Sequence, residues 1–235
     1  MTTDANLKEE FERFVYNVSH DLGTPIRQIG QLLDLYQSLD GRPDKAERRA
    51  QLLSMVGECA SEADKMLEAL VYLSRLSTRG MPMAALDLGP VLAEAADLAK
   101  ASHPAGDVAL DFPDPMPPLV GSRNHLVRAF EALIDNGLKF HKPETLADVH
   151  LSVRQEGAGA VVEINDAGIG IDPQFAEDVF TIFRKLQPRH DYAGVGAGLS
   201  LARAVIEGHG GTLICIPGAG QTRFELRLPL QTEGE

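Results

Sequence analysis

Basic residues are scarce in this chain of 235 residues: 22 lysines and arginines stand against 34 aspartates and glutamates, a net charge of −12. No basic run offsets that balance, so broad binding to nucleic acid or to an anionic membrane surface is not expected, although a local basic spot for a nucleotide is compatible with it. Cysteine is nearly absent. Cys59 and Cys215 both sit in apolar surroundings and read as buried thiols of a reducing compartment. No apolar stretch approaches the length of a membrane span, which argues against membrane insertion, and the acidic, polar N-terminus is unlike a signal peptide. The expected location is cytoplasmic. Zinc-type spacing of His and Cys, a Gly-x-Ser-x-Gly sequence, a Walker sequence, internal repeats and low-complexity segments are also missing. What is there is 44% hydrophobic and 24% charged, a globular composition with enough chain for one large domain or two small ones.

Residues 5–79 are helical in pattern. Phe11, Val15, Val18, Leu22, Ile29, Leu32 and Tyr36 recur at spacings of four and three, with Pro25 at the remaining seam position. Leu52, Val56, Cys59, Ala63, Met66, Leu70 and Leu73 repeat the alternation. Each run is a heptad seam. Asp40-Gly-Arg-Pro-Asp44 between them is a turn, so the two helices are predicted to form an antiparallel hairpin. One hairpin encloses a heptad core poorly, whereas two make a four-helix bundle. A homodimer is therefore expected, in preference to a hairpin folded onto its own C-terminal domain. Pro25 removes a backbone hydrogen bond and is expected to bend the first helix, and Gly23 loosens the same turn, so the bend falls just after His20. His20 lies two residues from the seam at Val18 and so faces solvent.

Beyond a linker near Thr78–Ala85 the pattern changes. Helices are expected over 91–100, 124–140 and 195–208. Strands are expected over 108–112, 150–155, 161–165, 212–216 and 222–228, two pairs of them as hairpins. Poor periodicity over 171–193 predicts a mobile loop. The expected fold is an α/β sandwich of the α+β class, with helices on one face of a mixed sheet. The domains are then 1–80, the helical hairpin, and 86–235, the sandwich.

Four motifs stand in order on this frame. In Ser19-His20-Asp21-Leu-Gly-Thr24-Pro25, an exposed imidazole sits beside a carboxylate that can take its second proton, and Thr24 shares its helix face. Asn136 lies in mid-helix, where Asn is disfavoured unless it faces a polar site; its amide oxygen suits Mg²⁺ beside phosphates, and Lys139 is nearly one turn on. Asp166-Ala-Gly168-Ile-Gly170 follows a strand, where a carboxylate can accept from an adenine amino group and glycines admit a ring. Gly194-Val-Gly196-Ala-Gly198 opens a helix whose free N–H groups favour phosphate. Phe180 and Phe183, with Arg184, Lys185 and Arg189, suggest a lid whose cations reach triphosphate oxygens. Singly, each motif reads as well as a solvated pair, an ordinary turn or loop packing. In sequence they suggest a phosphate acceptor joined to a nucleotide pocket.

With these residues in place, the chain resembles the transmitter core of two-component sensor histidine kinases over nearly all of residues 8–230. The stretch 184–194 is most similar to kinases associated with bacterial phytochromes. The resemblance implies a dimerisation and phosphotransfer hairpin followed by a Bergerat-type ATP-binding domain, with ATP and Mg²⁺ as cofactors. It implies His20 as phosphoacceptor, Asp21 as its acid/base partner, and Thr24 as a residue that helps dephosphorylate the partner. Asn136 would hold Mg²⁺, Lys139 would meet phosphate and Asp166 would read adenine. Gly168 and Gly170 would flank the base, while Gly194, Gly196 and Gly198 would cradle phosphates and anchor the lid. The implied partner is a response regulator receiver domain. Too few residues precede the first seam for an input module, so the chain is expected to be an excised core or to take its input from a separate sensor protein.

Three positions depart from the family pattern. Gly23 stands where Arg is frequent, Ala132 where a second Asn is usual, and Val195 where Thr or Ser is common. A histidine phosphotransfer protein with an inactive sandwich, or a response-regulator phosphatase, therefore stays open beside an ATP-dependent histidine kinase. A serine kinase of the anti-sigma type shares the ATP domain but lacks the acceptor hairpin.

Overall fold

A computed structural model describes residues 2–230 apart from 114, 115, 117, 143, 188–191 and 193, without the side chains of 2–11, 13 and 43. The chain divides into two compact units, Met1–Val71 and Tyr72–Glu235.

The first unit contains α1 (Thr2–Ser38) and most of α2 (Ala46–Arg79), joined by a turn in which Gly41 has φ +70°. α1 runs through Pro25 without interruption. Cross-helix contacts pair late α1 with early α2 and earlier α1 with later α2. Arg49 lies over the Tyr36 ring at 4.4 Å and bridges Asp40 at 3.2 Å, and the Cys59 thiol meets Gln28 Oε1 at 3.7 Å. That order defines an antiparallel hairpin. Along the seams Val18, Leu22, Pro25, Ile29, Leu32 and Tyr36 are partly or fully buried, as are Leu52, Val56, Cys59, Ala63, Met66 and Leu70. Val15 does not follow its seam and is exposed; the side chain of Phe11 lies outside the described residues. A second apolar line stays in solvent, with Ile26 and Leu33 one heptad apart on α1 and Leu53 and Leu67 two heptads apart on α2. Among the described residues no helix is long and apolar enough to cross a membrane.

The second unit is a sheet covered on one face by helices. Its elements are β1 (Ala84–Leu86), α3 (Leu88–Ser102), β2 (Asp107–Asp111), β3 (Leu119–Gly121), α4 (Arg123–Lys139), β4 (Asp148–Glu156), β5 (Gly159–Asp166), α5 (Gly198–Gly208), β6 (Thr212–Gly218) and β7 (Gln221–Pro229). The main sheet has the order β2-β4-β5-β7-β6, parallel between β2 and β4 and antiparallel elsewhere, so it is mixed as expected. The strands β1 and β3, absent from the sequence-based expectation, pair with each other. They are three residues each, too short to establish an alternation.

Strand parity sorts the faces. Val149, Leu151 and Val153 of β4, Ala160, Val162 and Ile164 of β5, and Phe224, Leu226 and Leu228 of β7 are buried against the helices. Leu88, Val91, Leu92, Ala95, Ala96 and Ala99 form the matching stripe of α3, and Leu126, Phe130, Leu133, Ile134 and Leu138 that of α4. The outer face carries charge instead: Arg154 pairs with Glu163, and Arg227 with Glu156 at 3.1 Å and Glu225 at 3.0 Å. β5 ends on Asp166, which has the parity of Ile164 and pairs with Thr222, so a carboxylate continues the apolar row and is only 7% exposed.

His209 ties α5 to the start of α4. Its Nδ1–H donates to the Val205 carbonyl at 2.7 Å, and Nε2 accepts from the Ser122 amide at 2.9 Å. Burial holds this imidazole below its ordinary pKa and hence neutral. Cys215 is buried too, and burial pushes its thiol up to about 11, which leaves it inert.

The expectation of a mobile loop is corrected over 173–183, while 188–191 and 193 lie outside the described residues. Short 3-10 turns at Pro173–Phe175 and Asp178–Phe180 pack here, and Val179, Phe180, Ile182 and Phe183 are buried. Phe180 meets Phe224 edge-on at 6.1 Å and lies under the guanidinium of Arg203. Its ring is core, and the polar sequence around it masked that. Arg189 falls outside the described residues. The helix expected from 195 begins later, at Gly198.

Candidate functional site

On α1, His20, Asp21 and Thr24 form one exposed cluster. The His20 side chain is 62% exposed. Its Nδ1 donates to Asp21 Oδ1 at 3.0 Å, which leaves the Nε2 lone pair to solvent. Tyr16 stacks beside the ring at a centroid distance of 6.5 Å. Thr24 Oγ1 donates to the His20 carbonyl at 3.1 Å and accepts from Arg27 Nη2 at 3.1 Å. Gly23 makes that last bond feasible, because a Cβ there would stand 2.7 Å from Arg27 Nη1. The guanidinium thus occupies the space a larger residue at 23 would need.

The second unit encloses a cavity of about 450 Å³. One wall is α4, through Arg128, Ala132, Asn136 and Lys139, a face set by the helical period. Asp166, Ile169, Gly170, Gly194–Gly198 and the first turns of α5 complete the lining, with Gly194 close to Lys139 and Gly198 close to Ala132. Asn136, Lys139, Asp166, Gly170, Lys185, Gly194, Gly196 and Gly198 therefore line one space. Gly168 does not, but its N–H donates to Asp166 Oδ1 at 2.9 Å and orients that carboxylate.

Gly170 and Gly196 show what this geometry demands of the backbone. Gly170 has φ +79°, and a Cβ on it would lie 2.4 Å from the Gly218 carbonyl. Gly196 has φ +75° and accepts at its carbonyl from the Phe183 N–H at 2.8 Å. Phe183 is itself at φ 65°, rare for a bulky residue. The glycine-rich segment is thus anchored to the buried Phe183.

The electrostatics of the cavity follow from burial. Burial lifts the Asp166 carboxyl to about 6 against two backbone donors, Gly168 and Thr222, that favour its charged form. Burial draws Lys139 below the ordinary lysine range; Asp135 opposes that and Lys185 adds to it. Arg184 is already paired with Asp178 at 2.8 Å. α5 begins without a side-chain cap: its cap residue is Ala197, and residues 197–199 line the cavity. A carboxylate acceptor at one end, uncapped helix amides and cationic side chains along the wall suit an adenine nucleotide. Asn136 lines the same cavity, and an amide oxygen is a donor type that could hold a divalent cation beside phosphates.

Residues 121–232 match the family model described as histidine kinase-, DNA gyrase B-, and HSP90-like ATPase. The chain is 32% identical over 208 residues to the methanogenesis regulatory histidine kinase FilI of Methanothrix harundinacea, covering 87% of this chain and 23% of that protein. It belongs with the transmitter cores of sensor histidine kinases. The core is also 29% identical over 225 residues to the phytochrome-like protein Cph1 of Synechocystis, covering 94% of the chain and 29% of that relative. The chain thus spans less than a third of both relatives' lengths. The solved histidine kinase AdeS of Acinetobacter baumannii shares the fold at a TM-score of 0.66 and 20% identity, over 91% of this core and 98% of that chain.

Within this transmitter core, sequence reasoning missed several cavity residues. Arg128, Glu131 and Asp135 share the wall with Asn136, and Tyr72 and Tyr192 line it from other segments. Tyr192 packs on Phe140 at a centroid distance of 4.6 Å. The signal for Arg128 was the helical period itself, since 128, 132 and 136 form one line. Tyr72 gave none, because its partners lie far along the chain.

Proposed function

We propose that this chain is an ATP-dependent protein-histidine kinase that acts as a cytoplasmic homodimer. It phosphorylates itself on His20 and hands the phosphate to an aspartate on a response regulator receiver domain. The observation that carries this reading is the convergence of eight residues, from three separated motifs and the lid, on one cavity with a buried carboxylate at its end. The exposed second apolar line of the hairpin supports pairing of two copies into a four-helix bundle.

In this reading Asp166 accepts from the adenine amino group, and Gly168 holds it in place. Lys139 and the amides at the start of α5 neutralise phosphate charge, and Asn136 gives Mg²⁺ its protein oxygen. Bound Mg²⁺ supplies further neutralisation of the phosphates. Asp21 retains the Nδ1 proton of His20, so Nε2 is the nucleophile. A bond forms from Nε2 to the γ-phosphorus as the bond from that phosphorus to the bridging oxygen breaks, and ADP leaves. Thr24, fixed by Arg27, stands on the same face for the reverse demand of removing phosphate from the partner.

The test is incubation with γ-labelled ATP and Mg²⁺, comparing the native chain with His20→Ala. Acid-labile, base-stable label that vanishes in the variant is the expected result. Label persisting in the variant refutes His20 as acceptor. No label in either, with ATP still bound, refutes the kinase reading.

A further inference from the structure

We propose that Tyr16 is a positioning residue for the phosphoacceptor: its ring, stacked beside that of His20, fixes the plane of the imidazole so that Nε2 is presented in one direction. The proposal rests on the reading of His20 as the acceptor.

The helical period brings the two rings together. Tyr16, His20, Thr24 and Arg27 follow at helical spacings and form one stripe along α1. The contacts along this stripe differ in kind. Thr24 gives its hydroxyl proton to the His20 carbonyl and accepts from Arg27, so it engages the backbone of His20 and not the ring. Asp21 reaches the ring, but only at one edge, through Nδ1 at 3.0 Å. One hydrogen bond at an edge is a pivot about which a ring can tilt. With 62% of the side chain exposed, no wall of packed atoms stops that motion. Tyr16 supplies the missing restraint. Its ring lies 19° from parallel to the imidazole at a centroid distance of 6.5 Å, inside the range of offset stacking. Edge and face together define the plane.

The state of Tyr16 points to the same task. It is 71% exposed, so burial does not account for where its ring lies. Among the described residues the imidazole is its one ring partner. A tyrosine has few rotors, so ordering it beside His20 costs little. The benefit falls on the transfer step. Nε2 must meet the γ-phosphorus in line with the bond that breaks, and an imidazole already held in one plane loses less freedom on the way. Tyr16 itself takes part in no bond change: Nε2 gains the phosphorus, ADP leaves with the bridging oxygen, and Nδ1 keeps its proton toward Asp21. The rate of transfer therefore depends on Tyr16, whereas affinity for ATP does not.

The test is the initial rate of His20 labelling by γ-labelled ATP with Mg²⁺, measured across ATP concentrations in the full chain with no receiver domain present. Tyr16→Leu should lower the maximal rate about two- to tenfold, the scale of one aromatic pair contact, and leave KM for ATP within about twofold. Leu is a better helix former than Tyr, so α1 is retained in this variant. Tyr16→Phe keeps the ring and should restore the native maximal rate. The His20 ring protons, followed by NMR without ATP, give a second readout. They should move downfield in Tyr16→Leu as the neighbouring ring current is lost, and stay in place in Tyr16→Phe. A native maximal rate in Tyr16→Leu, a change in KM alone, Tyr16→Phe as slow as Tyr16→Leu, or ring protons that do not move in Tyr16→Leu would each overturn the proposal while His20 remains the acceptor. A native chain that takes no label on His20 overturns that reading and the proposal with it.

Discussion

Replacing Asp166 with Asn should make the folded chain more stable while removing its affinity for adenine nucleotides. The carboxyl is buried at the end of an apolar strand row, and burial raises it from 3.8 to about 6. Below 3.8 both folded and unfolded states carry the proton and no penalty exists. Between 3.8 and about 6 the folded chain holds a proton that the unfolded chain has released, so stability declines as pH rises through that window. Above about 6 the penalty is complete. At 1.36 kcal/mol per unit it amounts to about 3 kcal/mol, and about half of that at pH 5. Asn is isosteric, can still accept from the Gly168 amide, and never ionises. Urea denaturation of the apoprotein should therefore give Asp166→Asn a gain approaching 3 kcal/mol at pH 8 that shrinks by about half at pH 5. Calorimetry at pH 8 should show binding of ADP to the native chain alone. A gain that does not diminish at pH 5, a loss of stability at both pH values, or retained ADP binding would refute the reasoning. In the native chain ADP affinity should fall as pH drops below about 6.

Two further outcomes follow from the geometry. His209→Phe keeps the packing but strands the Ser122 amide, and should cost about 1–3 kcal/mol at pH 8 by urea denaturation. Because the folded imidazole sits below its usual 6.5, its contribution is complete above that value and is lost as pH falls beneath it, so the deficit should narrow by pH 5. An unchanged deficit would mean that His209 is not held neutral. Gly170→Ala forces an L side chain into positive φ against the Gly218 carbonyl and should cost about 2–4 kcal/mol, read as a lower urea midpoint; a neutral result would remove the steric argument.

The hairpin and the main sheet were legible because their periods are sustained. Seven seam positions on each helix, and alternation through β4, β5 and β7, leave few other solutions. The short strands β1 and β3 were not legible, since three residues define no period. Phe180 was misread because burial there comes from Phe224 and Arg203, which only the fold brings near. The motif residues of the cavity were legible as separate signals, each tied to a backbone feature: Asp166 ends a strand, and Gly198 starts a helix. Arg128 was legible only through the helical period it shares with 132 and 136, and Tyr72 was not legible at all, because its partners lie on elements far along the chain.

The uncapped start of α5 carries one more consequence. Most helices finish their first turn with a side chain of their own, whereas Ala197 offers none. On the proposed reading, the missing cap arrives from outside as nucleotide phosphate. Local order at this helix end then becomes a function of nucleotide concentration, and each turnover loosens and resets it. The amides of residues 198–200, ahead of the first intrahelical bond from Leu201 to the Ala197 carbonyl, should exchange with solvent quickly in the empty protein and slowly in the loaded one, so that one turn of helix keeps a running record of occupancy.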